Sequence, residues 1–181
     1  KEIELNEVTK LLQSNFHEYR FVGLVIVTLK FNKASNLEKK QLYHFYLENI
    51  SAVNNWDLVD TSAPQVIGEY LLDHPADRDI LYKFAHSDDL WLKRIAMLST
   101  FTFIRDEEYE DALKIAKILV YDDHDLIHKA VGWMLREIGN RDLRTEEQFL
   151  QKYASTMPRT MLRYAIEKFP ENKRQKYLKA T

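Results

Sequence analysis

Arg20-Phe-Val-Gly-Leu24, Asp60-Thr-Ser-Ala-Pro64, Arg94-Ile-Ala-Met-Leu98, Lys129-Ala-Val-Gly-Trp133 and Arg163-Tyr-Ala-Ile-Glu167 decide the fold. Their first residues are separated by 40, 34, 35 and 34 positions. A recurrence of this length predicts paired helices stacked as a HEAT-like or armadillo-like superhelical solenoid of about five pairs, an all-α architecture. Equivalent positions in such an array point the same way, so Trp56, Asp60, Arg94 and Trp133 become one constellation rather than four isolated residues.

The sequence around these stretches agrees. The chain has 181 residues, 45% hydrophobic and 30% charged, the balance of an ordinary globular domain. We read it as one domain over 1–181, large enough to bury roughly 70% of its unfolded surface. Four glycines and four prolines are few breakers and favour long helices joined by short turns. The absence of cysteine removes disulfides and thiolate metal ligands, and fits a reducing cytosol. The longest apolar run, Phe21–Leu29, is too short to span a bilayer, so no membrane partner is expected. Lys1 opens the chain without a Met or a signal-like region, and an N-terminal segment is expected upstream.

Helical periodicity starts at Leu5–Leu12 and resumes from His17 through Lys30. A third helix capped by Ser35 or Asn36 is expected to bury Leu37, Tyr43, Phe45, Tyr46 and Ile50. Trp56–Leu72 reads as a fourth that Pro64 kinks or interrupts. Asp77–His86, Asp89–Ile104, Glu107–Val120, Asp123–Ile138, Thr145–Tyr153 and Pro158–Phe169 complete the series. Thr145 with Gln148 fits a capping box, Gly139-Asn140 a left-handed helix stop, and Pro158 a first helical turn.

The second helix of each pair carries the aligned residues and is expected to line the concave side. Its cations are Lys93, Arg94, Lys129, Arg136, Arg159 and Arg163, against Asp57 and Asp60. A net charge of −2 counts against a nucleic-acid partner, but segregation of sign between two faces would reconcile it with an anionic polymer. Trp56 and Asp60 lie one helical turn apart; Trp133 and Arg136 share another face. Two indoles, a carboxylate and a guanidinium describe an aromatic box with one anionic wall, suited to a cation or to positive charge developing in a reaction. Trp91 reads as a packing residue. His124 and His128 have ligand-like spacing but no third companion, so neither a metal nor a cofactor is expected.

His17-Glu-Tyr-Arg20, Asn55-Trp-Asp-Leu-Val-Asp60, Trp91-Leu-Lys-Arg-Ile-Ala96, Asp125-Leu-Ile-His-Lys-Ala-Val-Gly-Trp-Met-Leu-Arg-Glu137 and Met157-Pro-Arg-Thr-Met-Leu-Arg-Tyr-Ala-Ile-Glu167 carry a resemblance. In this order they resemble the bacterial AlkD-like group of DNA alkylation-repair glycosylases, which are HEAT-like superhelices. The resemblance covers Leu11 to about Phe169. It implies hydrolytic excision of N3- and N7-alkylated purines from duplex DNA by a cytoplasmic, nucleoid-associated bacterial protein. It maps the functional aromatic and acidic positions onto Trp56, Asp60 and Trp133, and the active-site arginine onto Arg94. Arg94 is expected on a flanking phosphate, with Lys93, Lys129, Arg136, Arg159 and Arg163 along the DNA. A solenoid of this size needs no partner to close its core, so a monomer is expected. The alternative reading is a HEAT-like scaffold that binds DNA or protein without chemistry.

Overall fold

The computed structural model describes residues 3–179, so the two extremities of the domain read over 1–181 lie outside the described residues. The chain is an all-α solenoid, with no strand among the described residues. Its helices are α1 (Leu5–Leu12), α2 (His17–Phe31), α3 (Asn36–Glu48), α4 (Trp56–Ala63), α5 (Glu69–Asp73), α6 (Asp79–Ala85), α7 (Leu90–Arg105), α8 (Glu110–Leu119), α9 (Asp125–Gly139), α10 (Leu143–Tyr153), α11 (Arg159–Ala165) and α12 (Glu171–Lys179).

Helices α2, α4, α7, α9 and α11, the second members of the expected pairs, pack side by side in chain order as one layer. The contacts between them advance in step: Asp60 meets Arg94 and Pro64 meets Thr102, while Leu126 meets Arg94 and Trp133 meets Phe101. Neighbours in this layer therefore run parallel, as stacked repeats require. Leu58, Ile67, Ile95, Leu98, Val131, Leu135, Met161 and Leu162 supply its buried side. At the centre, α7 is buried continuously from Arg94 to Thr100, as expected of a helix covered on several sides. No helix among the described residues is long and apolar enough to cross a membrane.

Local chemistry explains several helix starts and several departures from the sequence reading. Ser35 caps α3 in a capping box, its N–H and hydroxyl both donating to Glu38 Oε2 at 2.8 and 2.7 Å. The expected burial of Leu37 fails: it is 69% exposed, and Leu42 joins Tyr43 and Tyr46 inside instead. Pro64 does interrupt its helix, as a π-helical segment over Pro64–Gly68 rather than a break. Thr145 is not a cap. The Asp142 carboxylate takes that place, accepting the Thr145 N–H at 3.1 Å and its hydroxyl at 2.6 Å, so α10 opens at Leu143. Pro158 stands just before α11 instead of in its first turn. Helix α12, rich in Lys and poor in apolar residues, was not expected at all.

Gly139-Asn140 does not form a left-handed stop either, since Asn140 stays right-handed with φ of −63°. Gly139 makes room for Glu146, whose Oε2 occupies the space a Cβ would fill. Glu146 is 1% exposed, and its Oε1 has no hydrogen-bond partner among the described residues. Burial, reinforced by the neighbouring Glu147 and opposed by Lys173 and Arg136, pushes its carboxyl up to about 8. The folded form thus keeps a proton that the unfolded chain, titrating near 4.5, has lost. Stability contributed by this group is complete below pH 4.5 and falls as pH rises towards 8. We expect Glu146→Gln to remove that loss. Chemical denaturation should show a gain on the order of 2 kcal/mol at pH 8 and little change at pH 4.5.

Candidate active site

The site is built by three neighbouring helices of the parallel layer. Asn55 opens α4, its side chain accepting the Trp56 N–H at 2.7 Å. One turn later Asp60 meets Arg94 of α7, which lies one repeat interval of 34 residues further along the chain. The pair is bidentate: Arg94 Nε donates to Asp60 Oδ1 at 2.8 Å and Nη2 to Oδ2 at 2.7 Å. The third arm, Nη1, donates to the Leu126 carbonyl in the first turn of α9 at 2.6 Å. Arg94 is only 4% exposed, whereas the Asp60 side chain keeps 15% of its surface open. One buried guanidinium therefore ties three helices together and presents one carboxylate at the surface. This placement turns Arg94 towards Asp60 and the α9 backbone, not outward to a phosphate.

Along the parallel helices one indole precedes this pair and the other follows it. Trp56, 53% exposed, precedes Asp60 by one turn, about 6 Å. Trp133 lies seven residues beyond Leu126, about 10 Å further along, half-buried against Phe101 with its Nε1 donating to Glu137 at 3.3 Å. The expected box is thus an elongated strip, indole–carboxylate–indole. Trp91 is partly buried against the core, as a packing residue would be.

Beside the strip, His17 of α2 donates from Nε2 to Asp57 Oδ2 at 2.7 Å. The cations expected on the concave side are mostly held by nearby acids or carbonyls. Lys93 pairs with Asp122 at 2.6 Å, both side chains largely covered. Lys129 pairs with Asp125 one turn before it at 2.6 Å, more exposed, and Arg136 pairs with Glu167 in the 3-10 turn that follows α11. Arg159 donates to the Leu178 carbonyl at 2.7 Å, and Arg163 is exposed on α11. The His124 and His128 ring nitrogens engage backbone groups, the Leu126 N–H and the Asp122 carbonyl.

Four contacts around the site were not read from the sequence. The Leu126 carbonyl takes part through backbone, and the Thr102 hydroxyl donates to a backbone acceptor, the Pro64 carbonyl, at 2.8 Å, so neither contact has a side-chain partner to signal it. The His17–Asp57 pair spans 40 residues, the first interval of the recurrence, and that spacing could have flagged it. Tyr164 lies against Gly132 and bears electrostatically on Lys129, a contact visible only in space. A Cβ at Gly132 would strike the Met161 carbonyl and stand 2.5 Å from Tyr164 Cβ. We expect Gly132→Ala to cost about 1–3 kcal/mol, read from urea unfolding, because α9 and α11 must separate.

The clefts of 520 Å³ beside Ile26 and Leu29 and of 530 Å³ beside Tyr43 and Tyr70 lie away from this strip and are lined by none of its four residues. Among solved structures, a predicted DNA alkylation repair enzyme from Enterococcus faecalis is similar in fold, with a TM-score of 0.73 at 17% identity. The match covers 92% of this chain and 76% of that one. A search of curated proteins found no match. A family model described as DNA alkylation repair enzyme matches residues 1–169, which takes in every helix of the strip and its flanking cations, and the chain belongs to that family.

Proposed function

We propose that the chain is a monofunctional DNA glycosylase, hydrolysing the N-glycosidic bond of cationic N3- and N7-alkylated purines in duplex DNA. The observation that carries this reading is the Asp60 carboxylate, fixed bidentately by Arg94 with 15% of its side-chain surface still exposed, one turn from an exposed Trp56. Alkylation gives the purine a formal positive charge, so it leaves with the glycosidic electron pair without prior protonation. The sugar left behind is oxocarbenium-like and needs an anion at close range and a water aimed at C1′. Asp60 supplies the anion and orients the water, whose oxygen bonds to C1′ while its proton passes to the carboxylate or to solvent. The products are a free alkylpurine and an abasic site. The chemistry calls for no cofactor or metal.

Trp56 and Trp133, on either side of the carboxylate, offer ring faces to the cationic nucleotide and its sugar. Arg94 acts on Asp60, holding it in place. Lys129 and Arg163 are the cations best placed for phosphates, since an exposed pair such as Lys129–Asp125 is weak and exchanges its partner readily. Lys93, Arg136 and Arg159 join them at the margins of the surface. The working partner is duplex DNA bearing alkylated bases, bound by a single chain in the cytoplasm.

One observation favours a second reading, a solenoid that binds DNA without chemistry: a carboxylate fully paired to a buried arginine is also how a structural ion pair looks. Incubation with N-methylated duplex DNA separates the two. Release of free methylpurine selects the glycosylase. Salt-dependent binding without release selects the scaffold.

A further inference from the structure

Pro64 stands four residues after Asp60, the position whose N–H would bond the Asp60 carbonyl in a regular helix, and proline has none to give. The helix loosens there into the π-helical segment Pro64–Gly68, in which the Glu69 N–H reaches back to the Pro64 carbonyl. That carbonyl also receives the Thr102 hydroxyl at 2.8 Å from inside α7. Gly68 lets the helices come this close, because a Cβ there would stand 2.5 Å from the Ser99 carbonyl and 2.7 Å from Thr102 Oγ1. Thr102 and Ser99 are both buried. So α7 grips α4 at two points: Arg94 on the Asp60 side chain, and Thr102 on the backbone one turn beyond it, where the helix is weakest.

We infer that Thr102 is a positioning residue for the Asp60 carboxylate, its hydroxyl fixing the register of α4 against α7 at the proline-loosened turn. A π-helical segment is a rare departure from the α-helical ladder, and the buried hydroxyl gives its first carbonyl a second donor from α7. The Asp60 carboxylate is thereby set at the distance from α7 that its two bonds to Arg94 require. The consequence for base release rests on the glycosylase reading, but the geometric claim does not.

The test is hydrogen exchange at the Arg94 Nε–H, followed by NMR in wild type, Thr102→Val and Thr102→Ser. Loss of the hydroxyl should speed exchange about tenfold as the Asp60 bond opens more often, with serine within about twofold of wild type. Thr102→Ala removes the same hydroxyl without a second methyl beside Gly68, and gives the same reading should valine disturb the fold. Exchange unchanged in Val and Ala, or equally fast in Ser, overturns the inference. With methylated DNA as substrate, the valine variant should lose about tenfold in kcat at unchanged DNA affinity. Wild-type kcat in that variant also overturns the inference and leaves the glycosylase reading standing. No release by wild type removes the glycosylase reading, while the exchange comparison still decides the role of Thr102.

Discussion

Arg94→Ala is expected to lower the stability of the chain by about 3–5 kcal/mol and to abolish base release together. Arg94 is buried, gives two bonds to Asp60 and a third to the Leu126 carbonyl, and so joins α4, α7 and α9. Removing it leaves Asp60 without a counter-charge in a mostly covered position and Leu126 O without that donor. It also opens a void inside a helix whose residues from 94 to 100 are all buried. Arg94→Lys separates charge from geometry. An ammonium cannot make the planar two-bond contact to a carboxylate, so it should recover part of the stability and little of the activity. Denaturant unfolding and single-turnover release on the same preparations check both statements. An Arg94→Ala chain as stable as wild type would show that the bidentate pair contributes nothing to the fold.

The array was legible in the sequence because its signal is redundant. The recurrence from Arg20 to Arg163 repeats one helix face five times, and each stretch begins on one helix of the parallel layer. Asp60 and Arg94 occupy equivalent positions of adjacent repeats, and the repeat interval became an ion pair. What Arg94 does was not legible. Composition could not tell an arginine facing solvent from one buried against a carboxylate, and the balance of charges on the inner helices hid that Lys93 and Arg136 have acids of their own. Turn chemistry misled where two residues competed for one role: Asp142 outbid Thr145 as a cap because one carboxylate accepts both the N–H and the hydroxyl of Thr145. Gly139 looked like a helix stop but serves a side chain from the next helix, information that no local pattern holds. The sequence groups the two tryptophans with Asp60, and their placement before and after it along the layer follows from the parallel stacking of α4, α7 and α9.

The second large effect concerns Asp60 itself. Asp60→Asn keeps size and shape but replaces the anion by an amide, which cannot neutralise an oxocarbenium-like sugar and is a poor acceptor for a water's proton. It also leaves the Arg94 guanidinium uncompensated, so a loss of stability accompanies the change and the variant must be assayed well below its unfolding transition. DNA binding, which the proposed function assigns to cations and indoles elsewhere on the strip, should survive. The deciding measurement is therefore the single-turnover rate of methylpurine release from N-methylated duplex DNA, wild type against Asp60→Asn, with fold checked by circular dichroism and affinity by titration. Catalysis through Asp60 requires release by wild type and a loss of about a hundredfold or more in the variant at similar affinity. Equal rates from the two folded proteins would contradict it.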